Sequence, residues 1–296
     1  MQKYIFSDLV MENATIENIR QKSICREEYN CEWKNGIEIC RLNIENSVES
    51  KKYACAIGSY VTIYTDRLDR YDISEVDALS DIVADEIRSI VKRTCKLQSQ
   101  DNISVLIAGM GNRGITPDAL GARTVELVRV TRHMQKLAPA CNDQSHSNVI
   151  AAMPCGVFGE TGIESLELIK GVVRQISPQL LIAVDSLAAK SSTRLASVIQ
   201  LSNVGIAPGA GVGNKRSEIN QKTLGIPVIA IGIPTVVSAA TLVADTLCCA
   251  GIQNVDKKTR KALEKYADLF VAPKECDLII DSSAELIARS VEKAFL

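Results

Sequence analysis

Residues 180–190, LLIAVDSLAAK, place an unbroken apolar run directly ahead of Asp185. A run without polar alternation is the pattern of a strand buried on both faces, as in a parallel or mixed sheet covered by helices. The pattern recurs in SVLIA at 104–108, NVIAAM at 148–153, SVIQL at 197–201 and PVIAI at 227–231. Helical periodicity fills the intervals. In TGIESLELIKGVVRQI, Thr161 and Glu164 stand at capping-box spacing, and Ile163, Leu166, Ile169, Val172, Val173 and Ile176 form one apolar stripe. Residues 74–93 are amphipathic in the same way, and a last helix is expected to open at Ser282 with Glu285 three residues on. This alternation predicts an α/β fold: an open, mostly parallel or mixed sheet flanked by helices. Residues from about 30 to 66 alternate apolar and polar instead, which predicts a small β-rich annex or the sheet's edge. No repeat or linker interrupts the chain, so residues 1–296 read as a single domain.

Composition narrows the function classes. The formal net charge is −1 and the basic residues are scattered, which argues against direct nucleic-acid binding. The ten cysteines include no C-x-x-C pair and read as reduced, buried thiols. The N-terminus lacks a basic segment leading into an apolar run, so a cytoplasmic protein is expected. Residues 224–244 carry no charge over about the ~20 residues that a bilayer requires. Their prolines and glycines favour a short strand, a turn and a helix starting near Pro234 over a membrane span.

Two acids stand out by position. Asp185 closes its strand at the edge where open α/β sheets bind ligands. Asp118, in GITPDALGAR at 114–123, follows the strand ISVLIAGMGN; Thr116 is placed to be an N-cap and Pro117 to be the first helical residue. Each acid alone reads as a capping or dipole partner. Together at one sheet edge they could act as a pair, the ionised one activating water while its protonated neighbour polarises a carbonyl. Which acid plays which part stays open on these residues.

Competing motifs fit less well. PGAGVGNKRSE at 208–218 gathers Gly209, Gly211 and Gly213, but Asn214 stands where a phosphate loop needs glycine before Lys215. A loop contacting peptide is the better reading, with Arg132, Lys215 and Arg216 as candidate substrate-binding cations beside those glycines and Asn214. His133 and His146 have no nucleophile-elbow serine to serve, and no H-E-x-x-H or compact ligand cluster suggests a metal. No cofactor is implied. A metal- or thiol-dependent α/β hydrolase and a non-catalytic binding protein remain the alternatives.

The words GMGNRGITPDALGAR, TRHM, GVFGETGIESLELIKGVV, LLIAVDSLAAKS, VIQLSNVGIAPGAGVGNKRSEI, TLGIPVIAIGIPTVV and VAPKECD occur here in an order that resembles the spore germination protease family. The resemblance implies an atypical aspartic endopeptidase that degrades small acid-soluble spore proteins, similar in architecture to the hydrogenase maturation proteases. It matches the catalytic aspartates to Asp118 and Asp185. It implies a zymogen that removes its own propeptide, here residues 1–8, by cutting FSDLVMEN between Asp8 and Leu9. It also implies a homotetramer located in the forespore and spore core. Arg113, Gly114, Ala122, Ser186, Lys190 and Ser7 depart from the usual pattern, and both acids are unaffected. Those departures bear on substrate fit and processing.

Overall fold

The computed structural model describes residues 9, 30–53, 55–95, 102–137, 148–209, 216–252 and 256–296. Nine strands among these residues form one sheet: β1 (Asn30–Lys34), β2 (Ile37–Ile44), β3 (Gly58–Tyr64), β4 (Ser104–Met110), β5 (Val149–Gly156), β6 (Leu180–Ala189), β7 (Val198–Ser202), β8 (Val228–Ser238) and β9 (Phe270–Val271). Their order is β1-β2-β3-β7-β8-β6-β4-β5, with β9 against the end of β8. Neighbours within the β5-β4-β6-β8 block are parallel, whereas β7 runs against β8 and every pairing from β7 out to β1 is antiparallel. The apolar runs at 104–108, 148–153, 180–184 and 227–231 thus became the covered parallel centre, whereas the run at 197–201 became the antiparallel β7, which joins the alternating region to the sheet through β3.

The helices among these residues are α1 (Ser47–Tyr53), α2 (Ile73–Cys95), α3 (Leu120–Leu127), α4 (Arg132–Leu137), α5 (Phe158–Thr161), α6 (Ser165–Ile176), α7 (Gln221–Leu224), α8 (Ala239–Cys249), α9 (Lys257–Glu264) and α10 (Cys276–Phe295). The two-residue period of the strands divides their side chains between two cores. Val105, Ile107, Ile182, Val184, Ile229 and Ile231 pack with α2, α3 and α10. Leu106, Ala108, Leu181, Ala183 and Val228 face the other way and pack with Ile169 and Val173 of α6. Burying each such large aliphatic side chain stabilises the fold by roughly 1.5–3 kcal/mol before chain entropy is counted.

Several local expectations are corrected. The strand from Val228 passes through Pro234 and the helix begins only at Ala239. Pro234 lies opposite Leu187 at an irregularity in the β6–β8 register, a place where a missing N–H is tolerated. Residues 224–244 are therefore mostly strand, and among the described residues no helix is long and apolar enough to cross a membrane. The last helix starts at Cys276, because the buried Cys276, Ile279 and Ile280 extend its stripe more than a turn ahead of Ser282. Thr161 ends α5, and it is Glu164 that sits at the N-cap of α6, where its N–H donates to the Glu167 carboxylate at 3.1 Å. Not all cysteines are free thiols: Cys31 and Cys40, opposite one another in the β1–β2 hairpin, form a disulfide.

Candidate active site

The site begins where β4 stops. Its pairing with β6 ends at Gly109 opposite Val184, while β6 continues beside β8 as far as Ala189. Beyond β4 the chain turns at Gly111, whose φ of +91° is open to glycine at little cost. A Cβ there would also overlap the Asp118 carbonyl oxygen. The returning chain forms a 3-10 turn over Thr116–Asp118 and then enters α3. Gly121 brings α3 so close to the sheet that any Cβ would overlap the Met110 N and the Val184 O. Thr235 Oγ1 on β8 donates to the Pro117 carbonyl at 2.6 Å and ties the turn down from the other side.

Asp118 accordingly differs in setting from the expected helix start. It lies in the turn ahead of α3, Thr116 caps nothing, and the residue preceding the turn is Ile115. The carboxylate accepts the backbone N–H of Asn112 at 2.7 Å, so it closes the loop from β4 and does not cap α3.

Asp185 is internal to β6, because β8 supports that strand after β4 has left it. It shares a face with Leu181 and Ala183 on one side and Leu187 and Ala189 on the other. The first two belong to the α6 core, and the second two pack with Val198 and Leu9. Asp185 is thus a buried carboxylate, 6% exposed, set between two apolar clusters. It lines a cavity of about 590 Å³ that Asp118 also lines, together with Ser186, Phe158, Gly209 and Arg216.

Burial is the main influence on Asp118 and pushes its carboxyl above the usual range; the Asn112 N–H opposes this, the charge of Glu160 adds to it, and the charge of Arg216 opposes it. Arg216 lies 3.6 Å from the Glu164 carboxylate and 5.6 Å from the centre of the Phe158 ring. Cys155 is buried, and its thiol is pushed up to about 12 by burial and then by the charge of Asp185, which makes it a poor nucleophile at neutral pH.

Of the other residues singled out in the sequence, Gly209 and Arg216 border the cavity. Gly211, Gly213, Asn214, Lys215, Asp8 and His146 lie outside the described residues. Arg132, at the start of α4, is not among the described residues that line it, and His133 on the same helix is exposed. Among the described residues, the side chains of metal-ligating type that converge are Cys31, Glu38 and Cys40, but the two sulfurs are tied up in the disulfide and none of the three borders the cavity. Sequence reading passed over Glu160, Phe158 and Thr235. Their signal is weak, since only the folded chain brings α5 and β8 to the turn that carries Asp118.

Two acids thus border one cavity at the carboxyl end of the parallel strands, the place where open α/β sheets hold their ligands. Residues 7–263 match the family model described as germination protease. The chain is 37% identical over 280 residues to the germination protease of Clostridium acetobutylicum, covering 87% of this chain and 84% of that one. It is 39% identical over 280 residues to that of Clostridium perfringens, with the same coverage of 87% and 84%. The chain belongs to the germination protease family, and is a protease. Among solved structures it is similar to a [NiFe] hydrogenase maturation protease from Thermococcus kodakarensis, with a TM-score of 0.36 and 15% identity over 70% of this chain and 99% of that one.

Proposed function

We propose that this protease is an aspartic endopeptidase that hydrolyses small acid-soluble spore proteins during spore germination, with Asp118 and Asp185 acting on a water and the scissile carbonyl. The observation that carries the reading is that both acids border one cavity in a chain of this family. Asp118, raised by burial and by Glu160, is suited to hold a proton. It donates that proton to the carbonyl oxygen as Asp185 takes one from the attacking water; as the tetrahedral diol collapses, Asp185 passes its proton to the amide nitrogen, the C–N bond breaks, the amine leaves, and a diol hydroxyl returns its proton to Asp118. Digestion of a purified small acid-soluble spore protein tests this. Cleavage that persists with thiol reagent or chelator is expected, and loss of cleavage with either would favour the thiol- or metal-dependent alternative. The raised thiol of Cys155 counts against the thiol version.

The assigned proton fixes a pH dependence. Activity falls as pH rises through the Asp118 pKa, which lies above the ordinary carboxylate range. Glu160→Gln removes a charge that raises this pKa and should move the alkaline limb of kcat/KM to lower pH; Arg216→Gln should move it to higher pH. A limb that stays in place in both variants assigns it to another group.

The zymogen reading is supported by Leu9. Its side chain is 2% exposed and packs on Leu187, Ala189 and Val198, and Leu187 also borders the cavity. Mass spectrometry of the full chain under processing conditions should show loss of residues 1–8, and Asp185→Asn should remain intact. Substrate digestion by a chain that stays full length would contradict self-processing. The family reading further carries a single domain over 1–296, a homotetramer in the forespore and spore core, and catalysis without a resident metal or cofactor.

A further inference from the structure

Ser186 follows Asp185 on β6 and borders the same cavity. Its Oγ is buried and has no hydrogen-bond partner among the described residues. Buried hydroxyls are normally paired, and one left unpaired costs free energy unless something else satisfies it. Neither half of the surrounding scaffold does so. The Ser186 N–H donates to Asp185 Oδ1 at 2.9 Å, which engages the backbone and leaves the hydroxyl unused. On the sheet, Ser186 pairs with Ile233 of β8, but the pairing of β6 with β4 has already ended at Val184, so among the described residues no strand flanks Ser186 on that edge.

The face matters as well. By the strand's alternation Ser186 shares a side with Val184, which belongs to the core that also holds Ala119 and Leu120, just after Asp118. Asp185 points to the opposite side, towards the α6 core. A peptide lying across the end of β4 would therefore meet Asp185 from one side and the Ser186 hydroxyl from the other. We propose that Ser186 is a substrate-positioning residue whose Oγ–H donates to a backbone carbonyl oxygen of the peptide next to the scissile bond. That acceptor exists in every peptide, so the contact aligns the chain and does not read a side chain. The inference rests on the aspartic-protease reading above and adds a residue that touches substrate without taking part in proton transfer.

The test is steady-state kinetics of wild type, Ser186→Ala and Ser186→Thr on one spore-protein peptide, with thermal melts of all three. Ser186→Ala should raise KM about 5- to 10-fold, the worth of one neutral hydrogen bond, with kcat within about twofold. Its melting temperature should equal or exceed that of wild type, because a hydroxyl without a protein partner has been removed. Ser186→Thr, which keeps the hydroxyl, should recover most of the lost affinity. An unchanged KM in Ser186→Ala overturns the proposal, and so does a drop in melting temperature that matches the activity loss and is not relieved by threonine. If Asp118→Asn and Asp185→Asn stay active while Ser186→Ala raises KM, the aspartate mechanism falls and the positioning contact survives. If the aspartates are essential and Ser186→Ala is normal, only the positioning contact falls.

Discussion

Asp118→Asn and Asp185→Asn should each lower peptide hydrolysis by about 10²- to 10⁴-fold, the usual contribution of a positioned general acid or base. Asparagine keeps the shape of the side chain but can neither accept the proton of an attacking water nor deliver one to a carbonyl oxygen. The fold should survive both changes. The Asn112 N–H still finds an oxygen acceptor at position 118, and the amide, like the protonated acid it replaces, brings no charge into a site where burial disfavours one. At position 185 the Ser186 N–H likewise keeps an oxygen within reach. The double variant should be little worse than either single one, because two acids that act on one proton inventory fail as a unit. Activity within tenfold of wild type in either variant, measured on folded protein, removes that residue from the chemistry.

Gly121→Val should be the most damaging single change to stability outside the cores. Its Cβ would meet the main chain of β4 and β6, at Met110 and Val184, and main-chain atoms of adjacent parallel strands have no room to yield. Helix α3 must lift from the sheet and draw the Asp118 turn with it. A cost of about 3 kcal/mol or more is expected, which for a chain of this size lowers the melting temperature by roughly 6–12 °C. Gly171→Ala is the matched control. It lies on the exposed side of α6 with nothing within 4 Å of the new Cβ, so alanine's better helix propensity should stabilise by about 0.5–1 kcal/mol. Equal melting of Gly121→Val and wild type would contradict the close approach of α3 to β4.

The parts of the architecture that were legible in the sequence share one cause. Continuous apolar runs such as 104–108 and 180–184 can be satisfied only by burial on both faces, and the stripe Val76, Leu79, Ile82, Val83, Ile87, Ile90 and Val91 can face only one way. Both properties are local. The placing of Asp118 and Asp185 was legible only in part: Asp185 directly follows such a run but lies inside β6 and does not close it, and Asp118 reaches the same cavity from a turn beyond the end of β4. The misreadings all required knowledge of a partner. Pro234 looks like a strand breaker until Leu187 is seen opposite it at a register shift. Cys31 and Cys40 are nine residues apart, and only the hairpin register sets them face to face. Thr116 has the right chemistry for a cap, yet the Asn112 N–H reaches Asp118 first and tightens the chain into a 3-10 turn. Glu160 reaches Asp118 through space, and the orphan hydroxyl of Ser186 becomes visible only once β4 is seen to stop short of it.

The most direct measurement of the central claim is a crystal structure of Asp185→Asn bound to an uncleaved spore-protein peptide. The account predicts the scissile carbonyl inside the cavity beyond β4, its oxygen within hydrogen-bond reach of the Asp118 carboxyl and its carbon facing position 185. A peptide seated away from both residues, or one whose scissile bond is approached by a cysteine or a metal ion, would contradict it.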